Sequence, residues 1–214
     1  YDVNSIRILY TAGAAFPEKI RSQIQSHMKN AKIHYIYGLS EMGPNGSVLK
    51  PKDAGSRIGS CGRLVASVEW KIVDDQDNEL PRGQVGELIL RGPSMMKEYY
   101  KRPEETKAGL KNGWVHTGDL LKADSEGWLY FVDRKKDMIK SGGENVYAKA
   151  VEDCLYTHPD IADVAVIGVP AEQWGEAVKA IVVLRKGAET VKEKDIIDFC
   201  KKNLARFQVP KSVD

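Results

Sequence analysis

The chain has 214 residues, 42% of them hydrophobic and 29% charged, a composition that excludes a disordered or fibrous protein and fits an ordinary soluble globular one. Lysine and arginine number 32 against 30 acidic residues, and a balance of +2 is too even to argue for nucleic acid or an anionic membrane as partner. At this length a chain removes roughly 70% of its unfolded surface from water, so neither disulfides nor a structural metal are needed to hold a core.

Cys61, Cys154 and Cys200 are odd in number, far apart in sequence and outside any CxxC spacing, which suggests neither a disulfide framework nor a zinc site and favours a reducing, cytoplasmic setting. The longest apolar runs, VAVIGV and AIVVL, fall far short of the roughly 20 residues that cross a bilayer. The chain opens on Tyr1 and enters almost at once into the apolar run IRILY, which predicts a buried strand and a chain that is a fragment of a longer protein.

In chain order, Ile6, Ile8 and Leu9 form the first strand, and Pro17 opens a helix on which Ile20, Ile24 and Met28 recur every four residues. KIHYIYG is a second strand, ending in the glycine-punctuated loop GLSEMGPNGS. From Arg57 to Phe131 the pattern changes to short alternating strands, SVEWKIV, VGELILRG and GWLYFV, separated by turn clusters, which predicts a β-rich layer or small barrel. DRKKD reads as a linker. Beyond it a separate α/β unit is predicted: a helix carrying Val151, Cys154 and Leu155 on one face, then the strands IADVAVIGV and AVKAIVVL. A last helix opens with the capping-box spacing Thr190-Val191-Lys192-Glu193 and buries Ile196, Ile197, Cys200 and Leu204.

Several short segments carry groups suited to chemistry. Tyr37-Gly38-Leu39-Ser40-Glu41 places an aromatic face, a hydroxyl that can donate to phosphate and a carboxylate that can hold Mg²⁺ in one loop, although a plain polar turn has the same composition. Thr117-Gly118-Asp119 ends an aliphatic strand with a carboxylate able to accept both hydroxyls of a ribose, or to serve only as a local turn acceptor. Arg134-Lys135-Lys136 reads equally well as a solvated charged surface. In IKSGGEN, Gly142 and Gly143 next to Lys140 and just before a helix suit either an anion site or a tight turn. Trp174-Gly175-Glu176 carries a tryptophan that fits a core or interface anchor as readily as a ligand contact.

Taken in order, Gly13-Ala14-Ala15, YGLSE, GELILRGPSMMKEYY, WVHTGD, DRKKDMIKSGGEN and the Trp-Gly-Glu triplet resemble the adenylate-forming ligases: acyl-CoA synthetases, peptide-synthetase adenylation domains and luciferases. The resemblance runs the whole chain and is strongest to bacterial fatty or aryl acyl-CoA synthetases. It implies mixed α/β and α+β architecture. Residues 1–133 would be the distal part of the large AMP-binding domain with a β-rich subdomain, and residues 134–214 a small mobile α/β C-terminal domain.

The implied reaction joins a carboxylic acid to AMP with loss of pyrophosphate, after which the thiol of coenzyme A displaces AMP. By resemblance, Gly13 and Ala14 border the adenine, Tyr37 stacks on it, and Gly38 lets the loop approach. Ser40 binds the α-phosphate, Glu41 holds Mg²⁺, and Asp119 and Arg134 grip the ribose of ATP or AMP. Lys136 is the implied hinge. Lys140, Ser141, Gly142, Gly143 and Glu144 are implied in thioester formation beside coenzyme A, with Trp174, Phe207 and Lys211 near the CoA side. Ser40, Glu41 and Lys140 make up the implied catalytic set.

Val209 stands where some relatives carry a basic residue for the CoA phosphates. The family's glycine, serine and threonine rich phosphate loop has no counterpart in this chain, and its catalytic lysine is expected shortly after Lys211-Ser212-Val213-Asp214. The acyl pocket would be represented only by Met42 to Asn45. These departures predict a chain that is inactive alone, with an exposed core face that would promote a homo-oligomer. They also keep two alternatives open: a non-catalytic nucleotide- or partner-binding module, and a peptide-synthetase adenylation domain that serves a carrier protein.

Overall fold

The computed structural model describes residues 2–13, 18–43, 46–188 and 190–214, and of Glu18 and Lys19 only the backbone. The chain divides into two compact units, Tyr1–Phe131 and Val132–Asp214, a boundary two residues earlier than the sequence suggested. Among the described residues, no helix is long and apolar enough to cross a membrane.

The first unit opens with β1 (Ile8–Ala12), α1 (Glu18–His27) and β2 (Lys32–Tyr37), and β1 and β2 pair in parallel as a strand-helix-strand unit requires. The four-stranded sheet continues antiparallel through β3 (Ser47–Leu49) and β4 (Arg63–Leu64). β1 is not the buried strand expected from IRILY. It lies at the sheet edge, with Ile8 53% and Tyr10 62% exposed, because alternate side chains of an edge strand with one neighbour face away from the packed side. Pro17 lies outside the described residues.

The β-rich expectation holds. A second sheet orders β5 (Glu69–Val73), β6 (Gly86–Arg91), β8 (Trp114–Ala123) and β7 (Leu110–Lys111), with β9 (Leu129–Arg134) also on β8. Two short helices, α2 (Pro51–Ala54) and α3 (Pro103–Gly109), begin on prolines, whose fixed φ suits a first helical turn. Leu88, Leu90, Val115, Leu121 and Leu129 are almost fully buried together, and Met42 and Tyr37 join the same cluster.

The second unit builds its own sheet, ordered β11 (Glu144–Val146), β10 (Ile139–Ser141), β13 (Gly175–Leu184) and β12 (Ile161–Ala171), with β14 (Ser212–Val213) beside β13. Its core gathers Ile139, Val146, Val178 and Ala180 from strands, Val151 and Leu155 from α4 (Ala148–Leu155), and Ile196 and Cys200 from α5 (Glu193–Asn203). The α5 cap departs from expectation. The helix starts after Lys192, whose backbone N–H donates to Asp195 at 3.0 Å, so Asp195 does what was assigned to Glu193. Glu193 instead accepts the Val213 N–H at 2.9 Å. Leu204 lies just past the helix end, half-buried against the core.

DRKKD carries the chain from β9, on the sheet of β8, to β10, in the sheet of the second unit. Asp133 and Arg134 end β9, and Lys135 to Asp137 make the turn into β10, where the Asp137 N–H closes on the Arg134 carbonyl at 3.0 Å. All three cysteines are free thiols. Cys154 and Cys200, distant in sequence, act on each other through their thiols, and burial pushes Cys200 up to about 12.

Candidate active site

In the first unit, the loop after β2 is pinned by what it buries. Met42 is 0% exposed in the core, a burial that stabilises by roughly 1.5–3 kcal/mol, and it holds a short 3-10 turn over Ser40–Met42. Met42 therefore cannot wall an open substrate pocket as expected. Pro44 and Asn45 from the same assignment lie outside the described residues. Gly46 closes the loop: a Cβ there would stand 1.9 Å from the Tyr37 carbonyl oxygen and 2.9 Å from Gly38 Cα, so only glycine fits. Gly38 and Ser40 are left exposed.

The segment following β6 docks on this turn. The Met96 N–H donates to the Glu41 carbonyl at 2.7 Å, Ser94 Oγ to the Met42 carbonyl at 2.7 Å, and the Tyr99 hydroxyl to Glu41 Oε1 at 2.5 Å. Burial, and then the Glu41 carboxylate, push Tyr99 up to about 12. Sequence reasoning missed Tyr99, because nothing in KEYY marks one tyrosine as the partner of a carboxylate 58 positions away. Tyr99 occupies one lobe of one Glu41 oxygen, and a carboxylate has about four acceptor sites, so Glu41 retains hard oxygen donors of the kind Mg²⁺ takes. Among the described residues, no group of three or more histidine, cysteine or acidic side chains forms a ready-made metal cage. A single carboxylate fits an ion that also draws ligands from a phosphate ester.

Thr117-Gly118-Asp119 is not at a strand end. It lies inside β8, where the pairing to β6 jumps from Ile89↔His116 to Glu87↔Leu120 and leaves these three residues in a bulge, with Gly118 at φ +68°. Bulges re-aim side chains. Here the Asp119 carboxylate, 7% exposed, accepts the Tyr37 hydroxyl at 2.8 Å, and Tyr37 is itself 9% exposed. Burial, then the charge of Asp119, hold the Tyr37 phenol far above its usual range. Two residues 82 positions apart, read from separate motifs, are thus joined by one hydrogen bond. Gly13, at the end of β1, has φ +85°; Ala14 lies outside the described residues.

The second unit holds the remaining candidates. Arg134 is exposed at the end of β9, and Lys136 is exposed in the turn. Asp133 is buried beneath them and accepts the N–H groups of Arg134 at 2.8 Å and Lys149 at 3.3 Å. It thereby caps α4 from a different element, a role with no signal in its own stretch of sequence. Burial raises its carboxyl, and the N–H groups of Arg134, Lys149 and Ala148 oppose the shift.

Gly142 and Gly143, at φ +60° and +86°, form the two-residue turn of the β10–β11 hairpin, and the helix starts only at Ala148. The tight-turn alternative is what the chain adopts, and no helix N-terminus meets the glycines. Around them the structure gathers distant residues. The Gly142 N–H donates to the Trp174 carbonyl at 2.8 Å, the Trp174 ring lies over Gly142, and Lys211 Nζ stands 5.6 Å from that ring's centre. Trp174 is 41% and Phe207 40% exposed, so neither is the core residue that composition allowed. Ser141 is buried and paired with Gly175, whereas Lys140 and Glu144 are exposed, and the Lys140 N–H donates to Glu176 at 2.7 Å. Val209 is buried in the core, where a basic side chain would not be accommodated.

Residues 1–100 match the AMP-binding enzyme family, and residues 150–214 match the AMP-binding enzyme C-terminal domain. A long-chain-fatty-acid–CoA ligase of Escherichia coli O6:H1 is 47% identical over 178 residues, 83% of this chain and 31% of that protein. The o-succinylbenzoate CoA synthetase of Bacillus subtilis, solved with its acyl-adenylate intermediate, superposes with a TM-score of 0.87 at 33% identity, over 98% of this chain and 42% of that one. Its complex with ATP and a magnesium ion gives 0.86 at 33% identity and the same shares. The chain thus spans about a third to two-fifths of the length of these relatives. With both family segments matched in order and the fold shared with an adenylate-bound synthetase, this chain belongs to the AMP-binding enzyme family.

Proposed function

We propose that this chain supplies the nucleotide-binding and C-terminal segments of an ATP-dependent acid–thiol ligase, which converts a fatty or aryl carboxylic acid to an acyl-adenylate and passes the acyl group to coenzyme A. The observation that carries the reading is the Tyr37–Asp119 hydrogen bond of 2.8 Å, which sets an aromatic ring and a ribose-type acceptor side by side. In this reading Tyr37 faces the adenine beside Gly13 and Ala14, and Asp119 accepts ribose hydroxyls. The exposed Ser40 hydroxyl donates to the α-phosphate. Glu41, oriented by Tyr99, holds Mg²⁺, which when bound neutralises phosphate charge as the anionic acid approaches. Arg134 is assigned to the ribose and Lys136 to the hinge on the family resemblance.

The second step is assigned to Lys140 through Glu144. The hairpin turn at Gly142 and Gly143 presents backbone without side chains, open to a pantetheine arm, with Trp174 and Lys211 at its flank. A pyrophosphate-release assay with fatty and aryl acids, ATP, Mg²⁺ and CoA tests the proposal. The 214-residue chain alone is expected to give no turnover while binding AMP at millimolar levels by calorimetry. Turnover by this chain alone refutes the claim that it is inactive by itself, and absence of AMP heat removes the nucleotide assignment. A carrier domain following this chain in its natural polypeptide would instead favour a carrier-bound thiol as acceptor.

A further inference from the structure

Glu87 is the anomaly of β6. It sits inside the run Gly86-Glu87-Leu88-Ile89-Leu90, every residue of which is buried, and is itself only 6% exposed. A carboxylate in such a place is costly unless its oxygens are matched by donors. Both are. Oε1 accepts the Gly118 N–H at 3.0 Å, and Oε2 stands 3.4 Å from Nδ1 of the buried His116.

The first of these contacts replaces a missing ladder bond. Where β6 pairs with β8, Glu87 opposes Leu120 and Ile89 opposes His116, so the backbone between them has no regular partner strand position. The Glu87 side chain fills that role for Gly118, a residue at φ +68° and the immediate neighbour of Asp119. Thr117 completes the brace: its Oγ1 donates to the Leu88 carbonyl at 2.7 Å and accepts the Asp119 N–H at 3.1 Å. With the main chain held on the Gly118 side by a carboxylate and on the Asp119 side by a hydroxyl, the Asp119 carboxylate is presented to the Tyr37 hydroxyl.

We infer that Glu87 is a positioning residue for nucleotide recognition: its carboxylate fixes the β8 bulge so that Asp119 meets the ribose hydroxyls, and it thereby sets discrimination between ribonucleotides and nucleotides lacking those hydroxyls. This rests on the reading of Asp119 as the ribose acceptor. Glu87 itself touches no nucleotide in this account. A purely structural role would lower stability and weaken every nucleotide alike, whereas a positioning role acts on the hydroxyls alone.

The test compares AMP with 2′,3′-dideoxy-AMP on the 214-residue chain and on Glu87→Leu and Glu87→Gln, with amide exchange at Gly118 as a readout independent of any ligand. For the wild type, loss of carboxylate–hydroxyl bonds should weaken dideoxy-AMP by about tenfold or more. Glu87→Leu should compress that ratio to about twofold or less, leave dideoxy-AMP affinity within about twofold, and speed Gly118 exchange by about tenfold. Glu87→Gln retains an acceptor oxygen, but a neutral and weaker one, and should lower the ratio by about two- to threefold and speed Gly118 exchange by a similar factor.

An undiminished ratio in Glu87→Leu overturns the inference, as does an equal loss for both nucleotides. Should Glu87→Leu fail to fold, Glu87→Gln decides: its neutral oxygen is the weaker acceptor, so unchanged Gly118 exchange and an unchanged ratio overturn the inference. Equal wild-type affinity for the two nucleotides removes the ribose reading of Asp119 itself, a result separate from any behaviour of the variants.

Discussion

Tyr37→Phe removes one oxygen and keeps the ring, so it isolates the bond that joins the two nucleotide motifs. The partner is a carboxylate at 2.8 Å, and both residues are more than nine-tenths buried, so little water can enter to replace the lost donor. A hydrogen bond to a charged group is worth about 1.5–3 kcal/mol, and the buried site places the loss toward the middle of that range, about 2 kcal/mol. With an m-value of about 1–3 kcal/mol/M, the urea midpoint of the first unit should fall by about 1 M. Trp70, Trp114 and Trp128 lie in that unit and Trp174 in the other, so intrinsic fluorescence reports chiefly on the unit that is perturbed. A double-mutant cycle with Asp119→Asn should return a coupling of about 2 kcal/mol, since neighbours in one buried hydrogen bond are not additive. A Tyr37→Phe midpoint equivalent to less than about 0.5 kcal/mol, or a coupling indistinguishable from zero, would refute the claim that this bond holds the site together.

Gly142→Ala should cost about 1–2 kcal/mol from its left-handed backbone alone. It should also change Trp174 emission, because the new Cβ would lie 2.7 Å from the indole ring. Tyrosinate absorbance should differ between the native and the unfolded chain: Tyr35 and Tyr99, both pushed up to about 12, and Tyr37, held higher still, should resist ionisation at the pH, near 10, where tyrosines of an unfolded chain ionise. Because these folded values lie above the unfolded ones, the stability they carry is complete below about pH 10 and is lost as pH rises through the folded values, so alkaline unfolding should begin in the first unit. Native and urea-unfolded titrations that superpose would contradict this. Asp133→Ala should lower the stability of the second unit by about 0.5–2 kcal/mol through loss of the α4 cap, with faster amide exchange at Lys149. Tyr99→Phe should leave the fold intact but weaken Mn²⁺ affinity in the presence of ATP by a few-fold, read by water proton relaxation, because Glu41 loses the hydroxyl that orients it.

Much of the element order was legible from residue patterning. Alternation and short apolar runs marked β5, β6 and β9, and a four-residue repeat marked α1, although β6 proves buried on both faces and Ile20 of α1 is left exposed. The motifs YGLSE, TGD and SGGEN were equally visible, since each packs its chemistry into a few consecutive residues. Less legible were boundaries and exposure. IRILY has the composition of a buried strand, but burial depends on what lies across the sheet, and Ile8 and Tyr10 remain open. Thr190 and Glu193 matched a capping box by spacing, while the chain set the box two residues farther on, at Lys192 and Asp195, a choice made by where α5 meets the core.

By itself the sequence determined which short segments carry phosphate-, ribose- and thiol-directed groups, in what order, and therefore the kinship of the chain. Tertiary structure alone decided which residues serve them. Tyr99 reaches Glu41, Glu87 braces Gly118, Asp133 caps α4, and Lys211 faces Trp174, all across separations of 16 to 58 residues in which no local pattern records the pairing. The physical reason is that periodicity reports only the burial of a side chain relative to its own strand or helix. A hydrogen bond between distant elements depends on register, on bulges and on close backbone approach, and those are fixed only when the sheets assemble.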